Sequence, residues 1–235
     1  MYLHNDKAKF SDLINEVKAA FNVNESIIEK DYFVTLFLKG LIAREPNIIF
    51  KGGTALSKCY HIIERFSEDI DINIKDETSQ NRRKDLKDYV IIAAEELGMK
   101  LTNPEKIVRW QNYNKYKIAY PTLFPSDTLN QQLLLEAVFR ISSFPTEIMP
   151  VNSLIYDYLK LKAREDIASE YGLMPFDISV QSLERTFVDK VYALCDYYLE
   201  DNIERRSRHL YDLYKILPNI TLSRVQFPSV APKKL

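Results

Sequence analysis

The sequence predicts an α/β fold, with α+β character: a mixed sheet flanked by helices and followed by a helical C-terminal segment. Three observations carry this. The short apolar run Asn47 to Lys51 (NIIFK) leads straight into Gly52 and Gly53, which are adjacent in a chain with only five glycines. Such a pair marks backbone that turns left-handed or approaches something closely. The segment Ser67 to Ile74 (SEDIDINI) alternates strictly, with Ile70, Ile72 and Ile74 on one face and Asp69, Asp71 and Asn73 on the other. From Ser182 onward, apolar residues recur at helical spacing.

Taken in order, Asn24 to Ile42 predicts a mostly buried helix. Asn24 caps it, and Ile27, Ile28, Tyr32 or Phe33, Leu36 and Leu41 form its apolar set. Pro46 ends it, and NIIFK follows as a buried strand. A helix over about Thr54 to Arg65 places Leu56, Tyr60 and Ile63 on one side, ahead of the SEDIDINI strand. The polar stretch KDETSQNRRKD leads to a helix over Leu86 to Leu97 that Gly98 terminates. Lys106 to Tyr120 and Gln131 to Ile141 alternate as two strands of a hairpin, joined through Pro121 to Pro125. Pro145 and Pro150 read as breaks. Asn152 to Ala163 then predicts a helix and Asp177 to Val180 a short strand. Helices over Ser182 to Leu199 and Ser207 to Leu217 follow, and an extended tail is expected after Pro218. This divides the chain into a domain over 1–180 and a helical segment over 181–235.

Composition excludes several classes. At 235 residues the chain can bury a sizeable core. Lys plus Arg (32) against Asp plus Glu (33) leaves a formal charge of -1, so any basic site must be local. Cys59, Cys195 and three scattered histidines give neither a disulfide framework nor a zinc spacing. No apolar run approaches the roughly 20 residues that span a bilayer. The expectation is a cytoplasmic protein with no membrane partner.

Asp69 and Asp71 project the same way from one strand, which suits one or two hard divalent cations. The bland alternative is a solvent-facing edge strand with surface acids. Upstream, the strand ends at Gly52, Gly53 and Thr54 at a helix start, where free backbone N–H groups let phosphate oxygens approach. Its bland counterpart is a tight turn needing glycine for geometry alone. Together, a phosphate cradle beside an acidic metal site is the layout that phosphoryl or nucleotidyl transfer requires.

These residues resemble the polymerase-β-like nucleotidyltransferase superfamily. Within it, FKGGTALSK followed by RFSEDIDI is similar to the AbiEii/AbiGii toxin family of bacterial toxin–antitoxin and phage-defence systems. IEKDYFVTLFL (Ile28 to Leu38), SLERTFVDKVYAL (Ser182 to Leu194) and RHLYDLYKIL (Arg208 to Leu217) extend the likeness over residues 28 to 217. One departure from the wider superfamily is the fourteen residues between Thr54 and Asp69, a spacing that looks normal for this family.

The resemblance implies the minimal nucleotidyltransferase fold, with the transferase domain over 1–180. It implies Asp69 and Asp71 as ligands of Mg²⁺ or Mn²⁺, and Gly52, Gly53 and Thr54 as the phosphate-side loop. Lys58 pairs with a phosphate in this reading, and Ser67 lies at the metal rim. The superfamily's third carboxylate maps to Glu136, an acid on the otherwise apolar QQLLLEAVFR strand, with pairing to Arg140 as the alternative. Lys190 lies on the apolar stripe of its helix and contacts the nucleotide, or else snorkels to water. Asp212 belongs to the same network, or forms a surface pair with Arg208. Basic clusters at Arg82, Arg83, Lys84 and Lys87, and at Arg205, Arg206 and Arg208, are solvated faces or docking points for RNA, the second being the better candidate. Tyr197 and Tyr198 stack a base or pack in the core.

The expected function is therefore metal-dependent transfer of a nucleoside monophosphate from an NTP to an acceptor, by the toxin partner of a cognate antitoxin. RNA is the first acceptor, with the tRNA 3′ end ahead of other RNAs. A protein or small-molecule acceptor, and a catalytically silent nucleotide-binding module, are the alternatives.

Overall fold

The computed structural model describes residues 1–67, 69–74, 80–105, 107–110, 113–139, 143–199 and 206–225. In chain order the elements are α1 (Lys7–Phe21), α2 (Glu25–Ile42), β1 (Ile48–Lys51), α3 (Gly52–Lys58), β2 (Asp69–Ile74), α4 (Gln80–Glu95), β3 (Lys100–Leu101), β4 (Val108–Trp110), β5 (Tyr113–Ala119), β6 (Gln132–Val138), β7 (Thr146–Val151), α5 (Leu154–Leu161), α6 (Glu165–Glu170), β8 (Phe176–Gln181), α7 (Leu183–Leu199) and α8 (Arg206–Ile216). The strands form one mixed sheet in the order β3-β5-β6-β2-β1-β8-β7, with β4 paired to β5. β1 runs parallel to β8 and antiparallel to β2, and β2 is parallel to β6. The α/β fold expected from the sequence is the observed one.

The strict alternation of β2 works as anticipated. Ile70, Ile72 and Ile74 are buried, while Asp69 and Asp71 stay half-buried on the other face. Asn73 shares the aspartates' parity but is buried, donating from its amide to the Ser143 hydroxyl at 2.7 Å. β5 and β6 form the expected antiparallel hairpin, and the segment before it supplies the separate strand β4.

α2 is capped as expected, the Asn24 side chain accepting from the Ser26 N–H at 3.0 Å. It is buried almost throughout and takes three consecutive charges into the interior. Glu29 accepts from the Leu123 N–H at 2.7 Å and from Thr122 and Phe124. Lys30 donates to the Asn130 carbonyl at 2.8 Å. Asp31 accepts from the Leu154 N–H at the start of α5, at 2.8 Å, and from Lys58. Buried charges persist only when paired or hydrogen-bonded, so each of these fixes a different segment against α2.

Four expectations are corrected. The helix after the glycines stops at Lys58, not near Arg65, and the chain turns through His61 at φ +53°. Residues 146–151 form β7 despite Pro150, because β7 is the terminal strand of the sheet and an edge tolerates the missing N–H. α1 and α6 were not anticipated; α1 packs Phe10, Leu13, Ile14 and Val17 into the core. After Ile216 the chain makes two short 3₁₀ turns, Leu217–Asn219 and Leu222–Arg224, and residues 226–235 lie outside the described residues.

A second small core seats α8. Ile216, fully buried, packs with Leu56 of α3 and Ile63, and Tyr211 accepts the Glu64 N–H at 3.1 Å. Burying a side chain such as Ile216 contributes roughly 2 kcal/mol. This contact places the C-terminal helix beside the Gly52–Gly53 turn.

Candidate active site

The site grows from the end of β1. Gly52 has φ +74°, and a Cβ there would lie 2.0 Å from Asp71 Oδ2. A Cβ on Gly53 would lie 2.7 Å from the Ser67 hydroxyl and 2.8 Å from an Arg65 guanidinium nitrogen. Gly52 is thus required by both its backbone and its contact with Asp71, while Gly53 leaves the room that the Ser67 and Arg65 side-chain ends occupy. The Thr54 hydroxyl is directed at the carbonyls of Asp69 and Ser67, so this buried side chain braces the start of β2. The hydroxyl is thus committed to bracing, and any part Thr54 takes in the phosphate-side loop falls to its backbone N–H in the first turn of α3.

Lys58 is corrected more sharply. It is 8% exposed, and its ammonium donates to Asp31, to the Thr35 hydroxyl at 2.8 Å and to the Asn152 carbonyl at 3.2 Å. At the last residue of α3 it points into the layer beneath, so it grips α2 rather than a phosphate.

Sheet register assembles the acids. Lys51 of β1 pairs with Asp71 of β2, Asp71 with Glu136 of β6, and Glu136 with Lys115 of β5. One row across four strands therefore reads Lys, Asp, Glu, Lys. Asp69, two residues from Asp71, shares its face, so three carboxylates lie on one face of the sheet. Lys115 donates to Glu136 at 2.6 Å, and burial, with the nearby Glu136, raises the Tyr113 phenol. The partner of Glu136 is thus a cross-strand lysine; Arg140 lies outside the described residues. Burial pushes the Asp71 carboxyl up to about 6; Glu136 and Asp69 add to this, and Lys51 and Lys190 oppose it.

Two C-terminal helices wall the other side. Lys190 of α7 is 7% exposed and donates to Asp212 of α8 at 2.6 Å. Arg65 holds the same carboxylate at 2.9 and 2.7 Å through Nε and Nη2. Asp212 is buried, which corrects its possible surface pair with Arg208; burial opposes its charge, but Arg65 and Lys190 prevail and hold the carboxyl below its usual range. The alternative of a snorkelling Lys190 is likewise corrected, since its buried ammonium is held by Asp212 at the cleft wall.

Together these groups line a cleft of about 640 Å³ that includes Gly52, Gly53, Ser67, Asp69, Asp71, Glu136, Lys190 and Asp212. Sequence reasoning missed Lys51, Arg65, Lys115, Gln181, Asp189 and His209, which also line it. Lys51 and Arg65 sit inside the FKGG and RFSEDIDI strings, so a signal existed for them; the others required the register and the helix packing. Tyr197 lines the cleft against His209, with rings 5.5 Å apart, whereas Tyr198 is 74% exposed and so outside the core. Of the basic clusters, Arg208 reaches the cleft and Lys87 is half-buried on α4. The side chains of Arg82, Arg83, Lys84 and Arg206, and all of Arg205, lie outside the described residues.

Carboxylate oxygens from Asp69 and Asp71, with Glu136 in register alongside, form a hard-donor set that fits a divalent cation. Among the described residues no three His, Cys, Asp or Glu side chains are already gathered as a metal-holding group. The strand aspartates are the pair suited to a cation, and Glu136 stands beside them with one oxygen held by Lys115. No helix of the described residues is long and apolar enough to cross a membrane.

The family model described as "Nucleotidyl transferase AbiEii toxin, Type IV TA system" matches residues 36–229. Among solved structures, JHP933 from Helicobacter pylori is similar at 19% identity and a TM-score of 0.49, over 82% of this chain and 66% of that one. MenT4, a nucleotidyltransferase toxin from Mycobacterium tuberculosis H37Rv, is similar at 17% identity and a TM-score of 0.45, over 72% of this chain and 52% of that one. The chain thus spans about half to two thirds of the length of these structures. No curated protein matches. The fold is α/β, with a cleft of carboxylates flanked by lysines and arginines at the end of a strand–Gly–Gly–helix turn. The chain belongs to the nucleotidyl transferase AbiEii toxin family of type IV toxin–antitoxin systems.

Proposed function

We propose that this chain transfers a nucleoside monophosphate from an NTP to an acceptor hydroxyl. The observation that carries the reading is the register row Lys51, Asp71, Glu136, Lys115 with Asp69 on the same face, inside a cleft that Gly52 and Gly53 help to line. Asp69 and Asp71 would hold Mg²⁺ or Mn²⁺. When bound, that ion would neutralise triphosphate charge and favour ionisation of the attacking hydroxyl. Lys51, Arg65 and Lys190 face the triphosphate as fixed cations, the last two held in place by Asp212. Gly52, Gly53 and Ser67 form the wall against which its oxygens rest. Glu136 accepts the acceptor's proton as the new P–O bond forms, and pyrophosphate departs with the electrons of the bond it breaks.

The acceptor we assign is RNA, with the tRNA 3′ end the first candidate. Family membership supports action as the toxin of a type IV pair held in check by a cognate antitoxin; the location we assign is the cytoplasm, and the setting defence against phage. The test is incubation of the protein with each α-labelled NTP and Mg²⁺, offering total bacterial RNA and total bacterial protein in parallel, with Asp69→Ala as control. Label entering RNA only with intact Asp69 is the expected result. Label entering protein instead would move the acceptor class, and transfer unchanged in Asp69→Ala would overturn the site.

A further inference from the structure

The carboxylates lie in a valley between two cationic walls, and the donor nucleotide accounts for one of them. On its far side, β5 places Tyr113, Lys115 and Lys117 on one face, while Asn114, Tyr116 and Ile118 are buried on the other. Register carries that face outward: Lys117 lies opposite Leu134, itself opposite Asp69, and Ala119 lies opposite Lys100 of β3. Residues directly opposite in a sheet share a face, so Lys115, Lys117 and Lys100 follow one another on the open side of β5 and β3. Lys115 lines the cleft beside Glu136, and both Lys117 and Lys100 are exposed beyond it. Along β5 the lysines stand about 6.7 Å apart, set by the strand repeat.

A mononucleotide or small-molecule acceptor would be satisfied within the cleft and would leave Lys117 and Lys100 unused. A polymer with repeating negative charge, ending at the carboxylates, engages all three lysines. We infer that the open face of β5 and β3, through Lys115, Lys117 and Lys100, is the track on which a single-stranded RNA acceptor lies with its terminal hydroxyl at Glu136. This rests on the transfer reading above, and it adds where the acceptor binds and on which wall. Binding there is electrostatic along the backbone, so it is sequence-tolerant and salt-dependent.

The test measures binding of a labelled single-stranded RNA oligonucleotide by fluorescence anisotropy, between about 50 and 200 mM salt. Wild type is compared with the double substitution Lys100→Gln/Lys117→Gln, and NTP binding is measured calorimetrically on both proteins. Both lysines are exposed, so the variant is expected to keep its melting temperature. The expected result is RNA affinity lower by about 10-fold at low salt and a log–log salt slope smaller by about 1.4, with NTP binding unchanged. Unchanged RNA affinity and slope would overturn the track, as would preference for an acidic polypeptide over the RNA. The two readings fail separately. Lysine-dependent RNA binding without any transfer sinks the reaction alone, and transfer to RNA that ignores the double substitution sinks the track alone.

Discussion

Arg65 and Asp212, 147 residues apart in the chain, are joined by a two-pronged ion pair of 2.9 and 2.7 Å that ties the loop before β2 to the C-terminal helix. Lys190 completes the cluster from α7. One buried carboxylate therefore fixes two cations at the rim of the cleft, with both oxygens committed.

Removing that carboxylate leaves two cations facing each other. Asp212→Ala is expected to cost about 3 kcal/mol of stability, read as a lower urea midpoint at unchanged slope. Arg208→Ala, outside the cluster, is expected to leave the midpoint in place.

The same carboxylate sets an acid dependence. Its folded-state value is depressed, so its contribution is present above the ordinary carboxyl range of about pH 4 and is lost as pH falls through the lowered value. Wild type should exceed Asp212→Asn in stability at neutral pH, and that gap should shrink as pH falls below about 4. Denaturant melts of both proteins across this range check it; a constant gap would remove the ionised carboxylate from the explanation.

Gly52 and Gly98 form an internal control, both with positive φ. Gly98→Ala has nothing within 4 Å of the new Cβ and should cost only the left-handed strain of about 1–2 kcal/mol. Gly52→Ala adds a collision with Asp71 and should lower nucleotide transfer by about 100-fold as the carboxylate is displaced. Comparing the melting temperature and transfer rate of the two variants separates strain from displacement.

Lys58 provides the test that separates bracing from phosphate binding. Lys58→Met should cost about 3 kcal/mol by stranding Asp31 in the core, while the KM for NTP stays unchanged in the folded fraction. The double variant Asp31→Asn/Lys58→Met should lose less than the sum of the two single losses, measured by denaturant melts. A raised KM for NTP with normal stability would return Lys58 to the phosphates.

Much of this was legible locally. The alternation of β2 fixed which face Asp69 and Asp71 share, and helical periodicity located α2, α7 and α8. α1 carries its own readable pattern in Phe10, Leu13, Ile14 and Val17. Pro145 and Pro150 obscured β7, since a proline reads as a break unless the strand is known to be an edge. Lys58 was misplaced because proximity in sequence to the glycines suggested proximity to the ligand, whereas its direction is decided by Asp31, 27 residues earlier. Lys115 was beyond local reasoning, because cross-strand register decides its partner; Arg65 stands inside the RFSEDIDI string, but its pairing with Asp212 depends on the seat of α8.

The three charges in the middle of α2 have one further consequence. Glu29, Lys30 and Asp31 find their partners only at residues 122–124, 130 and 154, so the helix has no low-energy place in the interior until those segments have been synthesised. A chain lacking those segments leaves the layer that anchors Lys58 and α3 without these hydrogen bonds. The Gly52–Gly53 turn at the cleft thus depends, through Lys58 and α2, on a segment 123 residues beyond Asp31 in the chain.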